Sequence, residues 1–264
     1  MPVRSDIDKG LVTLIIPTYN SGRTIERCLR SIENQTYGNI ETIVVDNCST
    51  DDTLQVVAKT TAIAIVMISS MSQARNMGAL RAKGEFLFHV DSDMELSPRT
   101  VEGCVSSCES DNSDAVIVPE VSVGKGYWAG CIALGKTLVL GLEGYEGVRF
   151  VTRKAFEATR GYDSNLVAGE DFDFYRRLLT NGFRISRANS VILHHVGQVS
   201  LGAILAKYGF YAGSVARFRA KYPNRQDQAP FIRLLRNRWQ TFVGDPIHAV
   251  GYLFLMLMAY AIQK

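Results

Sequence analysis

Asp91 and Asp93 stand one residue apart at the end of an apolar run, FLFHVDSDME, residues 86–95. A buried strand ending in two acids delivers them to the carboxyl edge of a sheet, where α/β proteins bind ligands. Mg²⁺ and Mn²⁺ want hard oxygen ligands, and two acids leave coordination positions free, so the pair fits a cation that also grips a diphosphate. The plain alternative is that the same acids end the strand and cap the helix announced by Ser97 and Pro98. A second acidic pair, Glu170 and Asp171, follows Gly169 in GEDFDFYRRLL, at the amino end of a helical pattern. The partial positive charge there stabilises carboxylates, and one kept ionised beside an acceptor hydroxyl is a general base. Neighbours on a helix point about 100° apart, so the two acids cannot share one role, and one of them can serve as a cap.

The elements that position these acids follow from the patterning. LVTLII (11–16), ETIVVDN (41–47), AIAIVMI (62–68) and the run from Phe86 read as buried strands, alternating with helical patterns that include one over 72–82. Such alternation implies an α/β fold with a mostly parallel sheet covered by helices on both faces. Further strands are expected at DAVIVPEV and VILHHV, a helix over 169–180, and a mobile glycine-rich loop over 124–147. Carboxyl ends of parallel strands lie on one side, so Thr18, Tyr19 and Asn20, then Asp46 and Asn47, converge on Asp91 and Asp93. Tyr19 offers a ring face to a base, and Asp46 can accept from a base N–H or a ribose hydroxyl. Arg75, in QARNMGALRAKGE, can pair with phosphate or fix an acid of the pocket. Asn20 equally suits a simple turn.

Within 264 residues, 47% hydrophobic, there is ample core for one α/β domain with an appendage. Five cysteines show no metal-like spacing and read as reduced thiols. The polar start, MPVRSDIDKG, has no secretory pattern, so a cytoplasmic location is expected. Residues 201–264 carry nine Lys or Arg against two Asp or Glu, whereas residues 1–200 carry 20 against 24. That division suggests a catalytic domain over 1–200 and a basic, helical region over 201–264. The region ends in 18 residues without formal charge, Pro246 to Gln263, roughly 27 Å as one helix and borderline for a bilayer core of about 30 Å. Arg233, Arg236, Arg238 and Trp239 precede it, the cation and indole mixture of a headgroup layer, so contact at the inner membrane face is expected. A buried helix is the alternative. No nucleic-acid module is present.

The ordered set PTYN, VDNCSTDDT, ARNMGALRAKGE, VDSD and GEDFDFYRRL resembles the family 2 glycosyltransferases, inverting enzymes of the GT-A fold that use nucleotide-sugar donors. The resemblance covers residues 11 to about 200. It implies that Pro17, Thr18, Tyr19, Asn20, Asp46, Arg75 and Asp91 surround the nucleotide sugar, that Asp91 and Asp93 bind Mn²⁺ or Mg²⁺ with the diphosphate, and that Asp171 of the Glu170–Asp171 pair is the base. Arg177 then braces the base helix. His194 or His195 supplies a further metal or phosphate contact; strand alternation admits only one of them, His194 preferred, with Glu95 another candidate. Asn47 departs from the frequent second Asp, and Leu235 in LRNRW stands where processive synthases carry Gln. The implied reaction moves one sugar to the hydroxyl of a glycan or polyprenyl-linked acceptor. A sugar nucleotidyltransferase and a non-catalytic glycan-binding scaffold are the competing readings.

Overall fold

The structure is a computed structural model that describes residues 7–142, 144–223 and 238–264. Arg233, Leu235 and Arg236 lie outside the described residues. In chain order the elements are β1 (Asp8–Thr18), α1 (Ile25–Glu33), β2 (Ile40–Asp46), α2 (Thr53–Val57), β3 (Ile63–Val66), α3 (Met71–Arg81), β4 (Gly84–His89), β5 (Met94–Leu96), α4 (Thr100–Ser110) and β6 (Ala115–Ile117). There follow β7 (Glu120–Lys125), α5 (Tyr127–Val139), β8 (Val148–Thr152), α6 (Arg153–Ala158), α7 (Glu170–Thr180), β9 (Ile185–Arg187), β10 (Ile192–Gln198) and α8 (Leu201–Lys221). The chain closes with α9 (Arg238–Gly244) and α10 (Pro246–Ile262).

Seven of the described strands form one sheet in the order β3-β2-β1-β4-β8-β6-β9, and β8 alone runs against its neighbours. Every residue of β1 from Leu11 to Thr18 is buried, as a strand covered on both faces requires. Val12, Leu14 and Ile16 face α1 and α4, whereas Ile15 faces the opposite layer with α3, α6 and α7. Gly78 lets α3 lie close on the sheet: a Cβ there would sit 2.3 Å from Ile15. The start of α3 is fixed by a capping box, in which Ser70 Oγ accepts from the Gln73 amide and Gln73 Oε1 accepts from that of Ser70. Arg75 is thereby set in the first turns, above the carboxyl ends of β1 and β4. A three-stranded ribbon, β5-β10-β7, flanks the same edge.

The stretch 124–147 differs from the expected loop, because its centre is the thirteen-residue helix α5. Its glycines are contact points. A Cβ on Gly130 would stand 2.3 Å from the His248 ring and one on Gly135 2.3 Å from the Tyr252 ring, both on α10. Gly251 answers from α10, where a Cβ would meet Cys131 Sγ at 2.4 Å. The apolar terminus is therefore held against α5 and α8 along one face.

Among the described residues no single helix is long and apolar enough to cross a membrane; α9 and α10 meet the composition test only together, across a bend of 116°. The other face of α10 is exposed and apolar, with Ile247, Val250, Phe254, Leu257 and Tyr260 recurring at helical spacing, and Trp239 and Val243 exposed on α9. All five cysteines are free.

Candidate active site

The strand ends and the ribbon enclose a cleft of about 530 Å³. Pro17, Thr18, Tyr19, Asn47, Ser69 and Ser70 line one end; Asp91, Asp93, His194, Glu170 and Asp171 line its working wall. Thr18 is buried with its hydroxyl unpartnered, and the Tyr19 ring is 59% exposed, free to take a flat ligand face. Asp46 and Asn20 are placed differently from the expectation. Asp46 is fully buried, accepting from the Ser49 amide at 2.7 Å and the Ser49 hydroxyl at 2.5 Å, so it braces the turn after β2. Asn20, at φ 48°, accepts from the Thr50 amide and pins two loops together. Asn47, the position that departs from the family pattern, reaches the cleft in their stead.

Arg75 is 1% exposed and organises the acids. Its Nη1 donates to Asp171 Oδ1 at 2.9 Å and to Glu170 Oε1 at 3.4 Å, and its Nη2 to Asp91 Oδ1 at 2.9 Å. Its guanidinium also lies 5.0 Å from the centre of the Tyr162 ring. Of the two roles open to Arg75, fixing an acid is the one seen.

Arg149, buried near the start of β8, takes the other oxygen of Asp91 at 3.1 Å and also donates to Glu120, whose second oxygen accepts from Lys136 at 3.1 Å. The result is a chain of alternating charge running from Glu170 and Asp171 through Arg75, Asp91, Arg149 and Glu120 to Lys136. Burial alone would raise both carboxyls. The guanidiniums outweigh it, holding Asp91 well below the usual carboxylate range and, with Lys136, bringing Glu120 down to about 2.

Glu170 goes the other way. Burial, then the charge of Asp171 beside it, pushes its carboxyl up, against the pull of Arg75. The Asp171 side chain is 25% exposed to the cleft against 9% for Glu170. Gly169 makes this presentation possible: it caps α7 at φ 83°, and a Cβ would press within 2.9 Å of the Phe218 ring. Arg177, paired within α7 to Asp173 at 2.8 Å, ties the helix down by donating to the Thr159 carbonyl.

On the ribbon, His194 Nε2 lies 3.1 Å from Asp93 Oδ2, and His195 Nε2 lies 2.7 Å from Glu95 Oε2. Alternation along β10 turns the two pairs to different faces, and only Asp93 and His194 line the cleft. Asp91 has each of its two oxygens engaged by an arginine. Among the described residues no group of three His, Cys, Asp or Glu converges on one point. One carboxylate and one imidazole, the latter with Nδ1 buried and unpartnered, nonetheless fit a cation that completes its shell with water and diphosphate oxygens. The imidazole favours Mn²⁺ over Mg²⁺.

Sequence reasoning missed Glu120, Lys136, Arg149, Lys207 and Tyr211, which also line the cleft. A signal existed for Arg149: in GVRFVT it interrupts an otherwise apolar strand, and buried charge is rare without a partner.

Residues 13–129 match the sequence model described as "Glycosyl transferase family 2". The poly(ribitol-phosphate) β-N-acetylglucosaminyltransferase TarS of Staphylococcus aureus is 32% identical over 115 residues, 40% of this chain and 20% of that protein. The UDP-Glc:α-D-GlcNAc-diphosphoundecaprenol β-1,3-glucosyltransferase WfaP of Escherichia coli is 26% identical over 215 residues, 72% of this chain and 80% of that protein. This chain thus spans only a fifth of TarS, but most of WfaP.

Among solved structures, S. aureus TarS 1–349 in complex with UDP superposes with a TM-score of 0.59 at 20% identity, covering 96% of this chain and 88% of that one. The mannosyltransferase PcManGT of Pyrobaculum calidifontis with GDP-Man and Mn²⁺ gives a TM-score of 0.59 at 22% identity, covering 96% and 76%. The match to the family 2 glycosyltransferases thus spans residues 13–129, where four of the five ordered motifs lie, and the likeness to the solved structures gives the chain the GT-A fold.

Proposed function

We propose that the protein is an inverting, metal-dependent glycosyltransferase that moves one sugar from a nucleoside-diphosphate donor to an acceptor hydroxyl. The observation carrying this reading is that Asp93 with His194 and Asp171 with Glu170 line one cleft, joined through Arg75 and Asp91. Mn²⁺ or Mg²⁺ at Asp93 and His194 would neutralise the leaving diphosphate. Pro17, Thr18, Tyr19 and Asn47 form the nucleotide end. Asp171, held by Arg75, takes the proton of the acceptor hydroxyl as its oxygen bonds to the anomeric carbon; the bond from that carbon to the diphosphate breaks, and the nucleoside diphosphate departs with its electron pair. Attack from the face opposite the leaving group inverts the anomeric centre. Arg75 and Arg149 keep Asp91 ionised, available to a donor hydroxyl at the cleft wall.

TarS and WfaP act, by their names, on poly(ribitol-phosphate) and on a diphosphoundecaprenol-linked sugar. A glycan or polyprenyl-linked acceptor is our reading here, with residues 1–200 catalytic and 201–264 contacting the inner face of the cell membrane. The exposed stripe on α10, backed by Arg238 and Trp239 on α9, supports peripheral contact rather than a span, since its opposite face is packed on α5. The test is product analysis with UDP- and GDP-sugars and Mn²⁺. Acceptor-dependent release of nucleoside diphosphate with an inverted anomer by NMR is expected. Pyrophosphate released from a nucleoside triphosphate and a sugar 1-phosphate, supplied in a parallel reaction, would establish a nucleotidyltransferase, and neither donor binding nor turnover a non-catalytic domain.

A further inference from the structure

Helix α8 begins the basic region, yet one of its faces walls the cleft. Lys207, Tyr211, Ser214 and Phe218 recur at spacings of four, three and four, one side of a helix. Ser214 Oγ accepts from the amides of Val167 and Ala168 at 2.8 and 3.0 Å, and Phe218 fills the space a Cβ on Gly169 would need. The far half of the face therefore clamps the chain just ahead of Glu170 and Asp171, while Tyr211 and Lys207 line the cleft itself. Burial, then the charges of Glu170 and Asp91, pushes the Tyr211 phenol up, which places this residue in the electrostatic field of the base pair.

Among the described residues four Lys or Arg side chains line the cleft: Arg75, Lys136, Arg149 and Lys207. The first three are matched to the chain's own acids. Among the described residues Lys207 has no carboxylate within 4 Å, and its ammonium lies 5.9 Å from the Tyr211 ring centre. Its charge is uncommitted. The anion it suits is not the donor diphosphate, whose cation Asp93 and His194 would hold on the ribbon; α8 is instead joined to the loop ahead of Glu170 and Asp171.

We propose that Lys207, with Tyr211 beside it, binds a phosphate group of the acceptor, so that the acceptor is a polyol phosphate or glycosyl phosphate whose hydroxyl lies at Asp171. This rests on the glycosyltransferase reading and on Asp171 marking the acceptor side.

The test is calorimetry on the full chain loaded with Mn²⁺ and UDP or GDP, titrated with N-acetylglucosamine 1-phosphate, with inorganic phosphate, and with methyl N-acetylglucosaminide as the phosphate-free control. Lys207→Gln should bind both phosphate probes roughly ten-fold more weakly than the parent, the loss of one charge-assisted hydrogen bond, and Lys207→Arg should restore them. The control glycoside and the nucleoside diphosphate should bind all three proteins alike. Equal phosphate binding by parent and Lys207→Gln, or none by the loaded parent, overturns the proposal. A fall in nucleoside diphosphate affinity in Lys207→Gln overturns it too, by assigning the lysine to the donor. If neither UDP nor GDP binds the parent, the transferase reading itself fails, and this one with it.

Discussion

Arg149→Met tests the alternating-charge chain, because it removes one buried cation while keeping most of the side chain's volume. Arg149 is 6% exposed at its side chain and serves both Asp91 and Glu120. Taking one partner from a buried ion pair costs about 3–5 kcal/mol, since a charge is left uncompensated. Here each acid keeps a second cation, Asp91 its Arg75 at 2.9 Å and Glu120 its Lys136 at 3.1 Å, and both carboxylates are 10–19% exposed toward the cleft. The lower end is therefore expected, about 3 kcal/mol, or roughly 6–12 °C in Tm for a chain of this length.

The pH dependence gives the argument a sign. Burial raises Asp91 and Glu120, but Arg149 and its fellow cations hold both below their ordinary values. Depressed folded-state values stabilise above the ordinary carboxylate range, and that stability is lost as pH falls through the folded values. The deficit of Arg149→Met should accordingly be full at about pH 7 and much smaller at about pH 2, where Glu120 reaches its folded value. Urea unfolding followed by circular dichroism at the two pH values measures it. A cycle with Glu120→Gln should show a coupling of about 1–2 kcal/mol. A neutral-pH deficit under about 0.5 kcal/mol, or one that grows on acidification, refutes the reasoning.

Asp171→Asn should lower turnover about 10²–10⁴-fold with nucleotide affinity intact, in steady-state kinetics and calorimetry; near-normal turnover would remove it as the base. Asp93→Asn and His194→Ala should each weaken Mn²⁺-dependent nucleoside diphosphate binding more than Asp91→Asn does, and the reverse order in calorimetry would return Asp91 to the metal. Val250→Asn with Leu257→Asn should reduce sedimentation with anionic vesicles while leaving stability within about 0.5 kcal/mol; undiminished sedimentation would exclude the α10 stripe.

The parallel core and the acids of the cleft were legible because they lie where hydrophobic periodicity stops. Asp91 and Asp93 lie in the turn between β4 and β5, Glu170 and Asp171 open α7, and the carboxyl edge of a parallel sheet then fixes which side they share. Asp46 and Asn20 obeyed the same rule of position, yet a nearby hydroxyl or amide took their polar atoms first. Competition between a ligand and the local turn is settled by atoms a residue or two away, which period and composition do not resolve. Arg149 and Glu120 were missed for a related reason: their meaning comes from pairing across 29 positions of chain, and neither sits in a motif.

The loop expected over 124–147 shows how a tertiary partner can reverse a local preference. Gly130 and Gly135 weaken an isolated helix by about 1 kcal/mol each relative to Ala, so a pattern reader discounts α5. Without side chains, however, they let α10 approach until the His248 and Tyr252 rings occupy the vacant space, and Gly251 reciprocates toward Cys131. Contact between the helices recovers what the backbone preference loses. The same contact explains why the apolar terminus resembled a candidate span: α10 needs apolar residues on the face that meets α5 and α8, and it carries more on its exposed face. Two apolar faces on a helix of 17 residues, about 25 Å, give the composition of a span without its length: one face packs on the protein and the other is exposed.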